Sequence, residues 1–145
     1  MNLSPHFSLD EFTATAHRGI DNSLPDSLLP QAKLTADLME KIRAHLGVPI
    51  IVTSGYRCIA LNRAIGSADT SDHPKAMAVD FKAPSFGTPF AVATELAEHA
   101  DALGIGQLIH EFGRWVHVST RMPIQTRNRV ITISAAGTVG GIVPA

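Results

Sequence analysis

Apolar residues recur at every fourth position in the segment from residue 26 to residue 46. The stripe consists of Leu34, Leu38, Ile42 and Leu46. This spacing places apolar side chains on one face of a helix, and Gly47, which follows the stripe, is a common helix terminator. The pattern therefore predicts an amphipathic helix over residues 26–46.

Three other segments carry helix signals. Ser8 and Glu11 fit a capping box, which predicts a short helix that ends near residues 17–19. Thr88 followed by Pro89 fits a helix start, which predicts a second long helix through about Leu103. The segment RCIALNRAIG, residues 57–66, ends in glycine and predicts a further short helix.

Five short runs rich in β-branched and apolar residues predict strands. They are PIIVTSG at 49–55, AMAVDFK at 76–82, QLIHEF at 107–112, RWVHVS at 114–119 and NRVITIS at 128–134. We expect the first to be a buried strand. Helices precede and separate the early strands, whereas the last three strands follow one another. This order favours an α+β fold, with a small, mostly antiparallel sheet flanked by helices, over a doubly wound parallel sheet.

The composition is that of one globular domain. The chain has 145 residues, of which 45% are apolar and 17% charged, so a single core is large enough to be stable. We expect one domain over residues 1–145, with a loosely ordered, glycine-rich tail at about 134–145. The tail contains three glycines after residue 136.

Charge, cysteine content and hydropathy exclude several functions. The net charge of −1 provides no basic field for nucleic acid, and we expect Arg121, Arg127 and Arg129 to form a solvated loop face. Cys58 is the single cysteine, so no intramolecular disulfide forms. No apolar run is long enough for membrane insertion, and the first residues lack the features of a signal peptide. We therefore expect a monomer synthesised in the cytoplasm.

Most of the seven histidines have ordinary structural explanations. We expect structural roles for His6, His17, His45 and His99; His45, for example, lies in the last turn of a predicted helix, where a cation suits the dipole. His117 differs, because alternation places it with Trp115 and Ser119 on one strand face, while the flanking valines face the core. Taken alone, His117 is still best explained as a packed surface residue.

The segment TSDHPKAMAVDF, residues 70–81, has two structural interpretations. Asp80 follows an apolar run, and carboxylates in such half-buried places are rare unless they are paired or bind a metal. His73 lies in the preceding loop and is able to converge with Asp80 on one point. With the ring of His117 as a third donor, the set would have two nitrogens and one oxygen. Such a set, with a fourth position open to water, suits a catalytic zinc. The alternative is a turn and a strand that hold two unrelated polar residues.

Glu111 lies six residues before His117, with a predicted turn between them. Adjacent antiparallel strands would bring this acid near a metal-activated water, whose proton it is able to accept. The alternative is an exposed acid at the end of a strand. His110 alternates to the opposite face, which favours a structural role.

Together these residues resemble those of the zinc D-alanyl-D-alanine carboxypeptidases and the phage L-alanyl-D-glutamate endopeptidases, which share a fold with the hedgehog signalling domain. The family pattern is S-x-H-x-x-G-x-A-x-D, followed later by W-x-H or H-x-H. This sequence has Ser71, His73, Ala78 and Asp80 in that pattern and then WVH at 115–117. The segments TSGYRCIALNRAIG and HFSLDEF are also similar, so the resemblance runs from about residue 4 to about residue 120.

The resemblance implies a role for each matching residue. His73, Asp80 and His117 would bind Zn²⁺, and Glu111 would be the general base. Some family members carry that acid three residues before the last ligand, where this sequence has Arg114. The expected catalytic and substrate-binding residues are then Glu111, Arg57, Ser71 and Trp115. Arg57 would bind a substrate carboxylate or the oxyanion; Ser71 would hydrogen-bond to a ligand residue or to substrate, or is simply a loop serine.

The family glycine is replaced by Ala76. If the position requires a positive φ, alanine is strained there; if only a small residue is needed, alanine fits.

The resemblance implies a zinc metallopeptidase that cleaves peptidoglycan stem peptides, as either a D-Ala-D-Ala carboxypeptidase or an L-Ala-D-Glu endopeptidase. We expect a phage or prophage endolysin that reaches the cell wall after release from the cytoplasm. The alternative is a zinc-stabilised binding or phage structural module with weak or lost catalysis.

Overall fold

The computed structural model describes residues 1–145, which form eight strands and five helices. The strands are β1 (Asn2–Ser4), β2 (Phe7–Ser8), β3 (Ile51–Ser54), β4 (Ala78–Lys82), β5 (Gln107–Glu111), β6 (Trp115–Ser119), β7 (Val130–Ser134) and β8 (Gly137–Gly140). The helices are α1 (Leu9–Thr13), α2 (Leu29–Leu46), α3 (Ile59–Ala64), α4 (Pro89–Glu98) and α5 (Ala100–Leu103).

Six of the strands form one sheet in the order β3-β4-β6-β5-β7-β8, and β1 pairs with β2 separately. Every neighbouring pair in the large sheet is antiparallel except β5 and β7, which are parallel. The mixed α+β class and the mostly antiparallel sheet are therefore confirmed. None of the helices combines the length and the apolar character needed to span a membrane.

The long helix α2 begins three residues later than predicted, and its buried face includes three of the four residues of the predicted stripe. Its buried residues are Ala32, Thr35, Ala36, Leu38, Met39, Ile42 and Leu46. Leu34, the first member of the predicted stripe, is 59% exposed. Four residues rotate a helix by about 400°, so a strict four-residue stripe drifts by about 40° at each step and leaves the buried face. Gly47 ends the helix in a left-handed conformation, as predicted.

The first helix has the predicted capping box but is shorter than expected. The Ser8 side chain accepts a hydrogen bond from the Glu11 amide, and Glu11 reaches back to the Ser8 amide. The helix ends at Thr13, because the Phe12 carbonyl accepts its hydrogen bond from the distant Tyr56 amide at 2.6 Å. Gly55 makes this contact possible, since a Cβ there would lie 2.6 Å from the Phe12 oxygen.

Three further expectations needed correction. The strand β3, predicted to be buried, is an edge strand in which Ile51 is 56% exposed. The second long helix has its predicted Thr88 cap but is interrupted at His99, which separates α4 from α5. The arginine loop is not simply solvated, since Arg121 pairs with Asp72 and Arg129 pairs with Asp101.

The glycine-rich tail, expected to be loose, is hydrogen-bonded to the sheet. Its strand β8 pairs with β7, and the Gly141 amide donates to the Val130 carbonyl at 2.8 Å. Beyond β8, the Val143 amide donates to the Thr132 hydroxyl, and His110 Nδ1 donates to the Val143 carbonyl at 2.9 Å. The buried ring of His110 thus has the structural role expected of it.

The two faces of the large sheet differ. Val79, Phe81, Val116 and Val118 turn one face toward the core that α2 and α4 complete. By alternation, the opposite face carries Asp80, His117 and Glu111. The fold thereby gathers the chemically interesting side chains on the side of the sheet away from these two helices.

Candidate metal centre

Asp80 and His117 are direct partners in the ladder between β4 and β6. Asp80 Oδ1 lies 2.9 Å from His117 Nδ1, and both residues are buried, at 4% and 8% exposure. The predicted alternation along β6 is confirmed, because Val116 and Val118 are fully buried on the core face. Asp80 lies within β4, not at its end, which aligns its carboxylate with the histidine of the neighbouring strand.

His73 reaches the same point from the loop before β4. A short 3₁₀ turn, His73–Lys75, begins at this histidine, and the ring is 2% exposed. His73 Nδ1 donates to the Gly55 carbonyl at 2.6 Å, which leaves Nε2 without a proton. Nε2 lies 3.3 Å from Asp80 Oδ1 and has no hydrogen-bond partner. A histidine that ligates a metal commonly donates its other ring N–H to a backbone carbonyl in this way.

The three side chains have a donor arrangement that fits a zinc ion. One ligand atom each from His73, Asp80 and His117 lies within 4.8 Å of the other two. Ligands held at about 2.0–2.1 Å around tetrahedral zinc are about 3.3 Å apart. The observed separations from Asp80 Oδ1, 3.3 Å to His73 and 2.9 Å to His117, are close to that value. The buried, unpaired Nε2 of His73 is the atom that such an ion would satisfy.

The charges around Asp80 keep its carboxylate ionised. Burial opposes ionisation, but the charge of His73 and the hydrogen bond from His117 outweigh it and hold the pKa of Asp80 well below its usual range. Burial also lowers the pKa of His73, against the opposing effect of the Asp80 charge. For His117, burial lowers the pKa, but the hydrogen bond and charge of Asp80 raise it further, so the net shift is upward.

Arg57 holds the second oxygen of Asp80. Its Nη2 donates to Asp80 Oδ2 at 3.0 Å, its Nε donates to Ser54, and its Nη1 donates to Asn62. This pairing turns Oδ1 toward the two histidines. Burial lowers the pKa of Arg57, against the opposing charges of Asp80 and Glu111. The structure thus places Arg57 behind a candidate ligand, while part of its side chain still lines the adjoining cavity.

Glu111 lies beside the cluster on the neighbouring strand. Its Oε1 is 3.7 Å from His117 Nδ1, and burial raises its pKa. The turn from Glu111 to Arg114 has two left-handed central residues, Phe112 and Gly113, and is closed by the Arg114 amide donating to the Glu111 carbonyl. This is the geometry of a type I′ hairpin, which matches the twist of its two strands. The hairpin fixes the acid close to the histidine.

Asp72 and Arg121 form a clamp that sequence reasoning missed. Asp72 Oδ1 accepts from Arg121 Nη2 at 2.6 Å, and Oδ2 accepts from the Ser119 hydroxyl at 2.7 Å. The clamp ties the loop that carries His73 to the end of β6, two residues beyond His117. Ser71 contributes within the loop, because its hydroxyl accepts from the His73 amide at 3.2 Å.

A cavity of about 730 Å³ opens in front of the cluster. His73, His117 and Glu111 lie in its wall, together with Arg57 and Ser71. Part of the remaining wall is apolar and is formed by Ile109, Ile124, Ile131 and Ile133. Trp115, an expected substrate contact, packs against Phe112 with ring centroids 5.9 Å apart and does not line this cavity.

Comparison with known families places this geometry in context. A family model described as Peptidase M15 matches residues 5–119, which contain the His73, Asp80 and His117 cluster, Glu111 and the Asp72 loop. The chain belongs to the peptidase M15 family. The resemblance drawn from the sequence is therefore confirmed. A search of curated proteins found no match.

Membership of the peptidase M15 family supports a hydrolase of the metallopeptidase class. M15 peptidases are typically zinc-dependent, and the His-Asp-His cluster of this member has the donor types that such an ion requires. The match ends at Ser119, so β7, β8 and the tail lie outside it.

Proposed function

We propose that this M15 peptidase is a zinc-dependent enzyme that hydrolyses peptide bonds in peptidoglycan stem peptides. The observation that carries the proposal is the convergence of His73 Nε2, Asp80 Oδ1 and His117 Nδ1 beside an open cavity whose wall includes His73 and His117. These three atoms would hold Zn²⁺. We also propose that residues 1–145 form one peptidase domain of the hedgehog/DD-peptidase fold.

The proposed mechanism divides the chemistry between the metal and the chain. Bound zinc supplies Lewis acidity toward the scissile carbonyl and the attacking water. Glu111 takes the proton from the water and returns it to the leaving amine, which its position 3.7 Å from His117 supports. Its partial burial weakens hydration of the carboxylate, which makes the group a better base than an exposed glutamate.

Arg57 has two parts in this proposal. It positions Asp80 through the ion pair at 3.0 Å, and its exposed edge in the cavity wall offers donors to a substrate carboxylate or to the developing oxyanion. Ser71 supports the backbone of His73 and also lines the cavity. The proposed contribution of Trp115 to substrate binding would come from the rim of the hairpin, beside Glu111.

The substrate assignment rests on the family resemblance and on the form of the cavity. The cavity is open and combines charged groups with an isoleucine wall, which suits a short peptide that carries carboxylates and small apolar side chains. The D-Ala-D-Ala and L-Ala-D-Glu bonds both suit this chemistry. We propose that the protein acts as a monomeric endolysin of phage or prophage type, on the cell wall after release.

Purified peptidoglycan provides the test of this function. The zinc-loaded protein should release new amino groups, and mass spectrometry of the fragments should identify either free D-alanine or a new N-terminal D-glutamate. Glu111→Gln should reduce the rate by about 10²–10⁴-fold. Release of amines at equal rates by both proteins would refute the proposed mechanism, and release by neither would refute the peptidase function.

A second function is favoured by one observation. Ala76 occupies the family glycine position with a φ of 58°, a conformation that costs alanine free energy. A family member that tolerates this strain would serve in zinc-stabilised binding to the cell wall, or as a phage structural module, with weak catalysis. Cosedimentation of the protein with intact peptidoglycan, without fragment release, would support this alternative.

A further inference from the structure

A second group of metal-binding residues lies outside the candidate active site. His45, Glu95 and His99 each offer a ligand atom within 4.8 Å of the other two. Glu95 Oε2 lies 3.0 Å from Nε2 of His45 and 3.0 Å from Nε2 of His99. The two imidazole rings are 4.4 Å apart between their centroids.

The fold builds this group from two separate helices. His45 lies in the last turn of α2, while Glu95 lies in α4 and His99 follows it four residues later. Residues four apart are neighbours on a helix surface. Because α4 is interrupted at His99, with φ −122° and ψ 14°, this ring departs from the regular helical path. The packing of α2 against the α4–α5 segment then brings His45 to the same carboxylate.

The separations match those of a metal site. Two nitrogens at 3.0 Å from one oxygen are slightly closer than the roughly 3.3 Å that separates ligands around tetrahedral zinc. Small side-chain rotations would place an ion between them. The third donor is the Glu95 carboxylate, which both imidazole rings already share through one oxygen.

The group is also open to solvent. The exposed fractions of the side chains are 26% for His45, 33% for Glu95 and 43% for His99. A metal ion is able to reach these atoms without any rearrangement of the core, and water is able to complete the coordination. By contrast, His73, Asp80 and His117 are all buried.

We propose that His45, Glu95 and His99 form a second zinc site, which links the end of α2 to the end of α4. The site has two imidazole nitrogens, one carboxylate oxygen and a water as its ligands. It is separate from the candidate active site, because α2 and α4 pack against the core face of the sheet, and His117 lies on the opposite face. An ion bound there stabilises the folded chain by joining two helices, and it takes no part in peptide hydrolysis.

Zinc stoichiometry of the protein, purified without a histidine tag, tests this site. After equilibration with zinc and removal of free metal, the wild type should hold two ions per chain, and His45→Ala, Glu95→Gln and His99→Ala should each hold one. His117→Ala should also hold one ion, and the double variant His45→Ala/His117→Ala should hold none. The control is His17→Ala, because this ring has no side-chain partner; this variant should retain both ions.

Thermal unfolding provides the second readout. In the His117→Ala background, added zinc should raise the melting temperature, because the ion binds only the folded chain. The further change His45→Ala should abolish that rise. One ion in the wild type and none in His117→Ala would overturn the second site and leave the active-site proposal standing. Two ions in the wild type and two in His45→Ala would also overturn the second site. One ion in the wild type that is lost in His45→Ala but kept in His117→Ala would support the second site and contradict zinc binding at the active site.

Discussion

Asp80 stands directly opposite His117 in the β4–β6 ladder, with 2.9 Å between Oδ1 and Nδ1. Because the side-chain period of a strand is two, a register shift of one residue would send one of these side chains to the core face. Core packing by Val116 and Val118 opposes such a shift, so the same strand pairing that buries the core also aligns two candidate ligands.

Substitution of Ala76 should reveal the strain at the family glycine position. Ala76→Gly relieves the positive φ of 58°, but it loses a buried methyl group and adds backbone freedom to the unfolded chain. The matched control is Ala78→Gly, since Ala78 is equally buried and lies in a regular strand. Ala76→Gly should be the more stable of the two by about 1–2 kcal/mol. Equal losses in urea unfolding would show that the backbone of Ala76 is not strained.

Arg57→Lys should weaken zinc binding by about 10–100-fold, as is typical when the partner that orients a ligand is lost. Lysine keeps the charge but is unable to reproduce the separate hydrogen bonds to Asp80, Ser54 and Asn62. Competition with a chelating dye measures the affinity. The control Arg63→Lys changes an exposed arginine that pairs with Asp69, and it should bind zinc normally. Equal affinities for the two variants would exclude a positioning role.

Asp72→Asn should loosen the loop that carries His73. The change weakens the contacts with Arg121 and Ser119, and we expect a loss of about 1–3 kcal/mol in the free energy of unfolding, since Arg121 is 40% exposed and partly screened. Arg121→Gln should cost a similar amount. In a double-mutant cycle the combined variant should lose less than the sum, because both changes remove one interaction. Strict additivity would show that the clamp contributes nothing.

The fall in the free energy of unfolding at acid pH should depend in part on Glu40. Burial raises the pKa of Glu40, but hydrogen bonds from Ser4 and from His6 bring it below its ordinary value of 4.5. A depressed folded-state pKa contributes stability above the unfolded-state value, and this contribution is lost as the pH falls through the folded-state pKa. Glu40→Gln should therefore be less stable than the wild type at pH 7, with a difference that shrinks as the pH falls below the ordinary value of 4.5. A difference that does not depend on pH would contradict this account.

Local sequence signals predicted much of the fold. The capping box of Ser8 and Glu11, the Thr88 cap and the alternation along β6 depend on residues close in sequence, and each is confirmed. The spacing of the family motif also pointed to His73, Asp80 and His117, which the structure brings together.

Contacts between distant segments were not predictable from such signals. Asp72 meets Arg121 across 49 residues, and His45 meets Glu95 across 50 residues. The edge position of β3 depends on the order of strands in the sheet, which the apolar run in its sequence does not encode. The interruption at His99 likewise has no proline or glycine at that position to predict it.

Zinc dependence and peptide hydrolysis, measured on the same samples, test the central claim most directly. Protein stripped with a chelator should not release amines from purified peptidoglycan, and activity should return when zinc is restored. Glu111→Gln should still bind zinc at His73, Asp80 and His117 but should remain at least about 100-fold slower, whereas Glu95→Gln should match the wild type. Full activity in the stripped protein, or in Glu111→Gln, would contradict the account.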